Sequence, residues 1–203
     1  MCEADAMVIR EGLLVVISSP SGGGKTTICE RLRKQNPSYR YSVSVTTRPK
    51  REVERDGQHY CFVSPEEFHR LVQKGEFAEW AEVHDYHYGT RKPFVEQVLR
   101  DNQIALFDLD IQGGLHLKEA YPESVLVFIL PPSMEVLEKR LRGRKTDDDG
   151  IIRTRLKNAL AEVKFWSRYD YVVINDNLDT AVKQVQAIIE AERCKVSRVK
   201  ASG

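Results

Sequence analysis

No apolar run in this 203-residue sequence approaches the ~20 residues that a membrane span requires; the longest, Val125 to Leu130, is only strand-length. Charge of one sign is not in excess either. Lys and Arg number 31 against 30 Asp and Glu, a net charge of +1, whereas a general nucleic-acid binder shows a clear basic surplus. Cysteine is sparse: Cys2, Cys29, Cys61 and Cys194 form no CxxC pair, so neither a disulfide framework nor a zinc site is expected. Isolated thiols suit a reducing compartment. Met1 to Arg10 carries acids and no continuous apolar segment, unlike a secretory signal. These absences predict a cytoplasmic protein with no membrane and no nucleic acid among its partners. His59, His84 and His87 are scattered without metal-ligand geometry, and no Ser–His pair is evident.

What is present is a globular balance, 41% hydrophobic and 30% charged. A chain of this length buries roughly 70% of its unfolded surface in one domain. Apolar runs at Leu13–Ser18, Ile104–Asp110, Val125–Leu130 and Tyr171–Asn175, with a shorter one near Tyr41–Val45, alternate with helical patterns. That rhythm predicts an α/β fold with a parallel sheet flanked by helices on both faces. The first helix, Lys25–Lys34, stops before Asn36-Pro37. Ser64-Pro65-Glu66-Glu67 reads as a capping box closed by Gly75, and the last helix spans Asn177 to Arg193. Lys195 to Gly203 shows no apolar pattern and is expected to fray.

Two stretches interrupt the rhythm. Residues 39–93 mix short strands, turns and one helix and read as an inserted mixed α/β lobe. Residues 138–158 are dominated by charge, are weakly apolar, and read as a mobile helical lid. The core is then 1–38, 94–137 and 159–203 of a single domain, a layout that suits closure over a polar substrate.

The most informative segment runs from Leu13 through Ser21-Gly22-Gly23-Gly24-Lys25-Thr26-Thr27. It is a buried strand, a glycine-rich loop, and Lys-Thr opening a helix, which is the context of a P-loop. Glycines let backbone N–H groups turn toward phosphate oxygens, and the helix N-terminus adds positive potential. Lys25 would reach the β- and γ-phosphates of ATP and the Thr26 hydroxyl would ligate Mg²⁺. Ser19 stands where the strict pattern has its first glycine. Ile104 to Asp108, an apolar strand ending in a carboxylate, offers a second metal ligand; alone, such an acid is as readily a helix cap.

A P-loop implies a nucleoside triphosphate but not the reaction. The inserted lobe carries Ser42-Val43-Ser44-Val45-Thr46-Thr47-Arg48-Pro49-Lys50-Arg51, then Gly57-Gln58-His59-Tyr60, Glu79-Trp80 and Tyr88-Gly89-Thr90. With Asp108-Leu109-Asp110-Ile111-Gln112-Gly113, Arg140-Leu141 with Gly143-Arg144, and Asn175-Asp176, the chain resembles guanylate kinases over nearly its whole length. The resemblance implies a P-loop kinase core, a GMP-binding lobe and a lid, with phosphoryl transfer from ATP to GMP. Arg48, Arg51, Tyr60 and Tyr88 match the residues holding the GMP phosphate. Ser44, Glu79 and Thr90 match those reading guanine, with Asp110 near its exocyclic amine. Asp108 matches the acid near Mg²⁺. Arg140, Arg144 and Arg155 match the lid arginines on the transferring group, with Lys25 and Arg51 completing the catalytic set, and Asn175 lies where the family contacts adenine. Val53 departs from the glycine common in related sequences, which puts the local backbone in question.

The chemistry of these residues agrees. Guanine presents two parallel donors, N1–H and the 2-amino group, that one carboxylate accepts together, while adenine would leave that carboxylate unpaired. Arginine forks suit a phosphate dianion. The acceptor is already anionic, so no strong general base is needed. Taken singly, the arginines would be solvated surface charge, Glu79 an exposed strand acid, and the tyrosines half-buried packing; order and spacing together favour the site. Two other readings compete: a non-catalytic module of the same likeness that binds proteins, and a P-loop kinase for another phosphorylated acceptor such as a ribose bisphosphate. The intact P-loop disfavours the first, and Ser44, Glu79 and Thr90 disfavour the second. A homo-oligomer stays open.

Overall fold

The computed structural model describes residues 8–83, 85–143 and 149–201. Its strands are Val8–Arg10 (β1), Leu13–Ser18 (β2), Arg40–Tyr41 (β3), Val45–Thr46 (β4), Cys61–Phe62 (β5), Phe77–Val83 (β6), Tyr86–Arg91 (β7), Ile104–Asp108 (β8), Val125–Leu130 (β9), Tyr171–Ile174 (β10) and Val199–Ala201 (β11). Its helices are Lys25–Gln35 (α1), Pro65–Gln73 (α2), Lys92–Arg100 (α3), Ile111–Ala120 (α4), Met134–Gly143 (α5), Asp149–Val163 (α6) and Leu178–Arg193 (α7).

Five strands form one parallel sheet in the order β10-β9-β2-β8-β3. Every residue of β2 is buried, because helices cover both faces. On one face Val15, Ile17, Leu106 and Val127 pack against Ile28 and Leu32 of α1 and Val182, Val185 and Ile189 of α7. On the other, Val16, Phe107 and Leu126 pack against Val95 and Val98 of α3 and Leu117 of α4. The chain leaves β2 for β3, returns to β8 beside β2, then crosses to β9 on the other side. The loops after β2 and β8 therefore diverge at a switch point, where α/β sheets bind ligands.

Residues 40–91 also build a separate four-stranded sheet, β5-β4-β7-β6. The short strand expected near Tyr41–Val45 is in fact two strands, β3 in the main sheet and β4 in this one, so the chain passes between sheets through Ser42 to Ser44. Asp110, expected at a strand end, caps α4 instead, accepting from the Gly113 amide at 3.0 Å. Of the expected capping box, Ser64 supplies the N-cap half, accepting from the Glu67 amide at 3.2 Å, while the Glu67 carboxylate pairs with Arg70.

The helices on either side of residues 144–148, which lie outside the described residues, carry apolar side chains among their charges. Leu137 and Leu141 of α5 and Ile152 and Ala159 of α6 form a small buried cluster, since each helix keeps an apolar face beneath its charges.

The end of the chain also corrects its expectation. Through residue 201 it is not frayed: Val199–Ala201 pairs antiparallel with Val8–Arg10. Arg198 is 6% exposed and donates to the Glu123 carbonyl at 2.7 Å and to Glu192 Oε2 at 3.2 Å. Glu192, equally buried, also receives Lys195 at 2.6 Å and the Tyr171 hydroxyl at 2.5 Å. Together these contacts hold its carboxyl below the ordinary glutamate range, against the opposing effect of burial. Breaking a buried ion pair costs about 3–5 kcal/mol. Glu192 retains two partners, so Arg198→Ala should cost about 3 kcal/mol and lower Tm by roughly 6–12 °C. Thermal unfolding checks this; a shift under 2 °C would mean that the buried Arg198–Glu192 pair contributes little to stability.

Candidate active site at the carboxyl end of the sheet

The loop after β2 closes on itself before α1 begins. The Gly23 amide donates to the Pro20 carbonyl at 2.8 Å, and Ser19, buried in place of the usual glycine, donates its hydroxyl to the same oxygen at 3.0 Å. Gly24 caps α1 with φ of 98°, a left-handed conformation that glycine adopts without strain. A Cβ there would collide with Asn175 Nδ2. Asn175, 5% exposed at the end of β10, donates that nitrogen to the Gly23 carbonyl at 3.0 Å. Its side chain supports the phosphate loop in this structure. Its own carbonyl accepts from Arg140 Nη2 at 2.7 Å, while Arg140 Nη1 is buried without a hydrogen bond.

Lys25 opens α1 and meets Asp108, the last residue of β8, in an ion pair of 2.7 Å. Asp108 raises the lysine pKa against the larger lowering effect of burial, so Lys25 is cationic. Asp108 Oδ1, the oxygen that faces Lys25 Nζ at 2.7 Å, is buried and has no further hydrogen-bond partner among the described residues. Thr26 and Thr27 are exposed on the first turn of α1. An exposed hydroxyl and an under-satisfied carboxylate oxygen beside a phosphate loop are hard donors that fit Mg²⁺, which takes few protein ligands and completes its shell with phosphate and water. Among the described residues no group of three or more His, Cys, Asp or Glu could hold a metal by itself.

The lid helices reach the same loop. Arg155 Nε of α6 donates to Ser21 Oγ at 3.2 Å, and the Ser21 amide donates to Glu162 Oε2 at 2.9 Å. Glu162 is a neighbour that sequence did not single out; it lies 141 residues from its partner. Arg144 falls outside the described residues.

The four-stranded sheet positions the base-reading candidates. β6 and β7 pair antiparallel with Glu79 opposite Thr90, and the Thr90 hydroxyl donates to Glu79 Oε1 at 2.6 Å. Glu79 is 6% exposed. Burial, reinforced by nearby Asp110 and partly offset by Thr90, pushes its pKa up to about 7. Ser44 is buried at the start of this sheet. Gly113 was not predicted to matter, yet a Cβ there would lie 3.0 Å from Glu79 Oε2 and 3.1 Å from Asp110 Oδ1. The glycine thus keeps open the space in front of two carboxylates.

Between the two halves sit the phosphate-binding candidates. Tyr60 and Tyr88 meet edge to face with centroids 6.0 Å apart, and Arg48 Cζ lies 5.3 Å from the Tyr60 ring. Tyr60 and Lys25 lie within electrostatic reach of each other, Tyr60 raising the lysine pKa and Lys25 lowering that of the tyrosine against the larger effect of burial. Arg48 is paired with Glu54 at 2.7 Å, an acid that sequence did not single out. Arg51 is exposed and joins the cluster through its backbone amide, which donates to Glu54 at 2.8 Å. Val53 is 85% exposed, and its φ is negative: among the described residues only Asp85 and Asn102 are non-glycine with positive φ. The loop accommodates valine without strain. A cavity of about 440 Å³ lined by Gly12, Leu99, Tyr121, Ser124 and Arg198 holds none of the predicted residues.

Residues 11–192 match the family model described as guanylate kinase. The chain is 48% identical over 191 residues to the guanylate kinase of Caldanaerobacter subterraneus subsp. tengcongensis, covering 94% of this chain and 93% of that protein. It is 50% identical over 195 residues to the guanylate kinase of Anaeromyxobacter dehalogenans, covering 95% and 86%. The crystal structure of guanylate kinase from Anaplasma phagocytophilum superposes with a TM-score of 0.81 at 35% identity, covering 96% of this chain and 93% of that one.

Proposed function

Because the chain belongs to the guanylate kinase family and is an ATP:GMP phosphotransferase, we propose that the residues at the carboxyl end of the sheet divide that reaction between an ATP side and a GMP side. The observation that carries this division is the buried Glu79–Thr90 pair in the lobe, on a separate sheet from the Lys25–Asp108 pair of the P-loop. Glu79 accepts guanine N1–H and the 2-amino group, with Ser44, Thr90 and Asp110 completing the base pocket. Arg48, Arg51, Tyr60 and Tyr88 hold the acceptor phosphate. On the donor side, the amides of Gly22 and of residues 24–27, with the Lys25 ammonium, hold the ATP phosphates, Asn175 keeps their loop in shape, and Arg140, Arg144 and Arg155 close from the lid.

A GMP phosphate oxygen attacks the γ-phosphorus, its bond to the β-γ bridging oxygen breaks, and GDP and ADP leave. Charge passes from the γ-oxygens to that bridging oxygen, so Lys25 and the arginines act by stabilising charge and fixing the line of attack. Thr26 and Asp108 would hold Mg²⁺, which when bound neutralises phosphate charge. Lobe and lid exclude water that would otherwise hydrolyse ATP. Among the described residues no helix is long and apolar enough to cross a membrane. The isolated thiols, which suit a reducing compartment, support a cytoplasmic setting for the reaction.

The carboxyl of Glu79 gives this reading a pH signature. GMP requires the ionised form, while the free protein holds the proton up to about pH 7. The GMP KM should therefore rise roughly tenfold between pH 8 and pH 6, and Glu79→Gln should lose the inflection near 7. For the free protein the linkage has the opposite sense. An unfolded glutamate ionises near 4.5, so this group lowers stability as pH rises from there to about 7, and saturating GMP restores it. Calorimetric titration of GMP against inosine monophosphate, which lacks the 2-amino group, tests the base assignment directly. A large preference for GMP supports it, and equal affinity contradicts it.

A further inference from the structure

We propose that Glu54 is a positioning residue of the acceptor-phosphate site: it fixes Arg48 so that one edge of the guanidinium faces the phosphate of GMP. The inference rests on the assignment of Arg48 to that phosphate.

A guanidinium has five N–H donors in a rigid plane. Three are committed here. Nη1 donates to Glu54 Oε2 at 3.1 Å and to the Pro49 carbonyl at 2.8 Å, and Nη2 donates to Glu54 Oε1 at 2.7 Å. Nε–H and the second Nη2–H lie on a common edge, the pair that binds a phosphate side-on, with the Tyr88 hydroxyl within reach of the same guanidinium. The Tyr60 and Phe62 rings, 5.3 and 5.8 Å from Cζ, restrict the same plane. Both charged side chains are largely buried, 13% exposed for Arg48 and 11% for Glu54, so water does little to screen the pair. Arg48, with help from the Arg51 amide, holds the Glu54 carboxyl below its ordinary range, so it is ionised.

A carboxylate beside a phosphate site could instead be a stand-in that GMP displaces. The turn argues otherwise. Glu54 Oε2 also accepts from the Arg51 amide at 2.8 Å, and the Glu54 amide donates to the Arg51 carbonyl at 3.0 Å. Swinging the carboxylate away would undo the turn that carries Arg51. Glu54 therefore ties the two acceptor arginines to one another, and a preset fork loses less freedom when the phosphate arrives.

Binding of GMP and of guanosine, which lacks the phosphate, should be measured by calorimetry for the wild type, Glu54→Gln, Arg48→Met and the double variant. Glu54→Gln should weaken GMP about 30-fold while guanosine affinity and the ATP KM stay within twofold. In the Arg48→Met background it should cost less than threefold more, because the residue acts through Arg48. Should Glu54→Gln fail to fold, Glu54→Asp keeps the charge on a shorter stem and should show a smaller loss, about fivefold, confined to GMP. Tighter GMP binding by Glu54→Gln would make Glu54 a competitor and overturn the proposal. So would equal losses for GMP and guanosine, or an undiminished 30-fold loss without Arg48. Unchanged GMP affinity in Arg48→Met would instead overturn the phosphate assignment beneath it, a result none of the other three outcomes produces.

Discussion

Lys25→Met should lower kcat by at least 10²–10³-fold while leaving the fold in place. The lysine is the only side-chain cation rooted in the phosphate loop between Ser19 and Thr27, and removing one preorganised charge-stabilising donor costs about that much. Methionine keeps the length and apolar stem of the side chain, and Ile28 and Leu32 still anchor α1 in the core. Single-turnover kinetics at saturating ATP and GMP, alongside circular dichroism, separates chemistry from folding. Near-normal turnover in a folded variant would remove the phosphate loop from the mechanism.

Glu79→Gln should reduce kcat/KM for GMP by about 10²–10³-fold and change the ATP KM less than twofold. Glutamine is nearly isosteric and can still accept from Thr90, so the β6–β7 pairing survives. It offers guanine one acceptor and one donor where two acceptors are needed, and the mismatch leaves buried donors facing each other. Parallel losses for both substrates would place Glu79 outside the base pocket. Gly113 supports the same pocket by its lack of a side chain. Its neighbour distances of 3.0 and 3.1 Å leave no room for a methyl group unless a carboxylate moves.

The sheet was readable in the sequence because β2, β8 and β9 are apolar on both faces, a pattern that needs no knowledge of partners. The phosphate loop was readable because its residues are contiguous. The lobe is legible as a break in the α/β rhythm, but the roles of its residues come from resemblance: β4 and β5 are two residues each, too short for any periodicity. The final strand was misread because three residues with one buried neighbour carry no pattern. What holds them is Arg198 on Glu192 and on the Glu123 carbonyl, 75 residues away. Glu162 was invisible for the same reason, since its partner is a main-chain amide 141 residues distant. Glu54 lay in plain view among arginines, but charge alternation in a loop ordinarily means a solvated surface. Only the depth of the cluster distinguishes it. Asn175 was placed near adenine by resemblance, whereas its hydrogen bond is to the loop backbone, which spacing could not reveal.

If one carboxylate-lined pocket selects guanine for phosphoryl transfer from the P-loop, a coupled assay of ADP formation with MgATP against GMP, AMP, CMP, UMP and ribose 1,5-bisphosphate should show rapid turnover with GMP and at most trace turnover with the others. Comparable turnover with AMP or with the ribose bisphosphate would contradict the guanine-reading role of Glu79, Ser44 and Thr90.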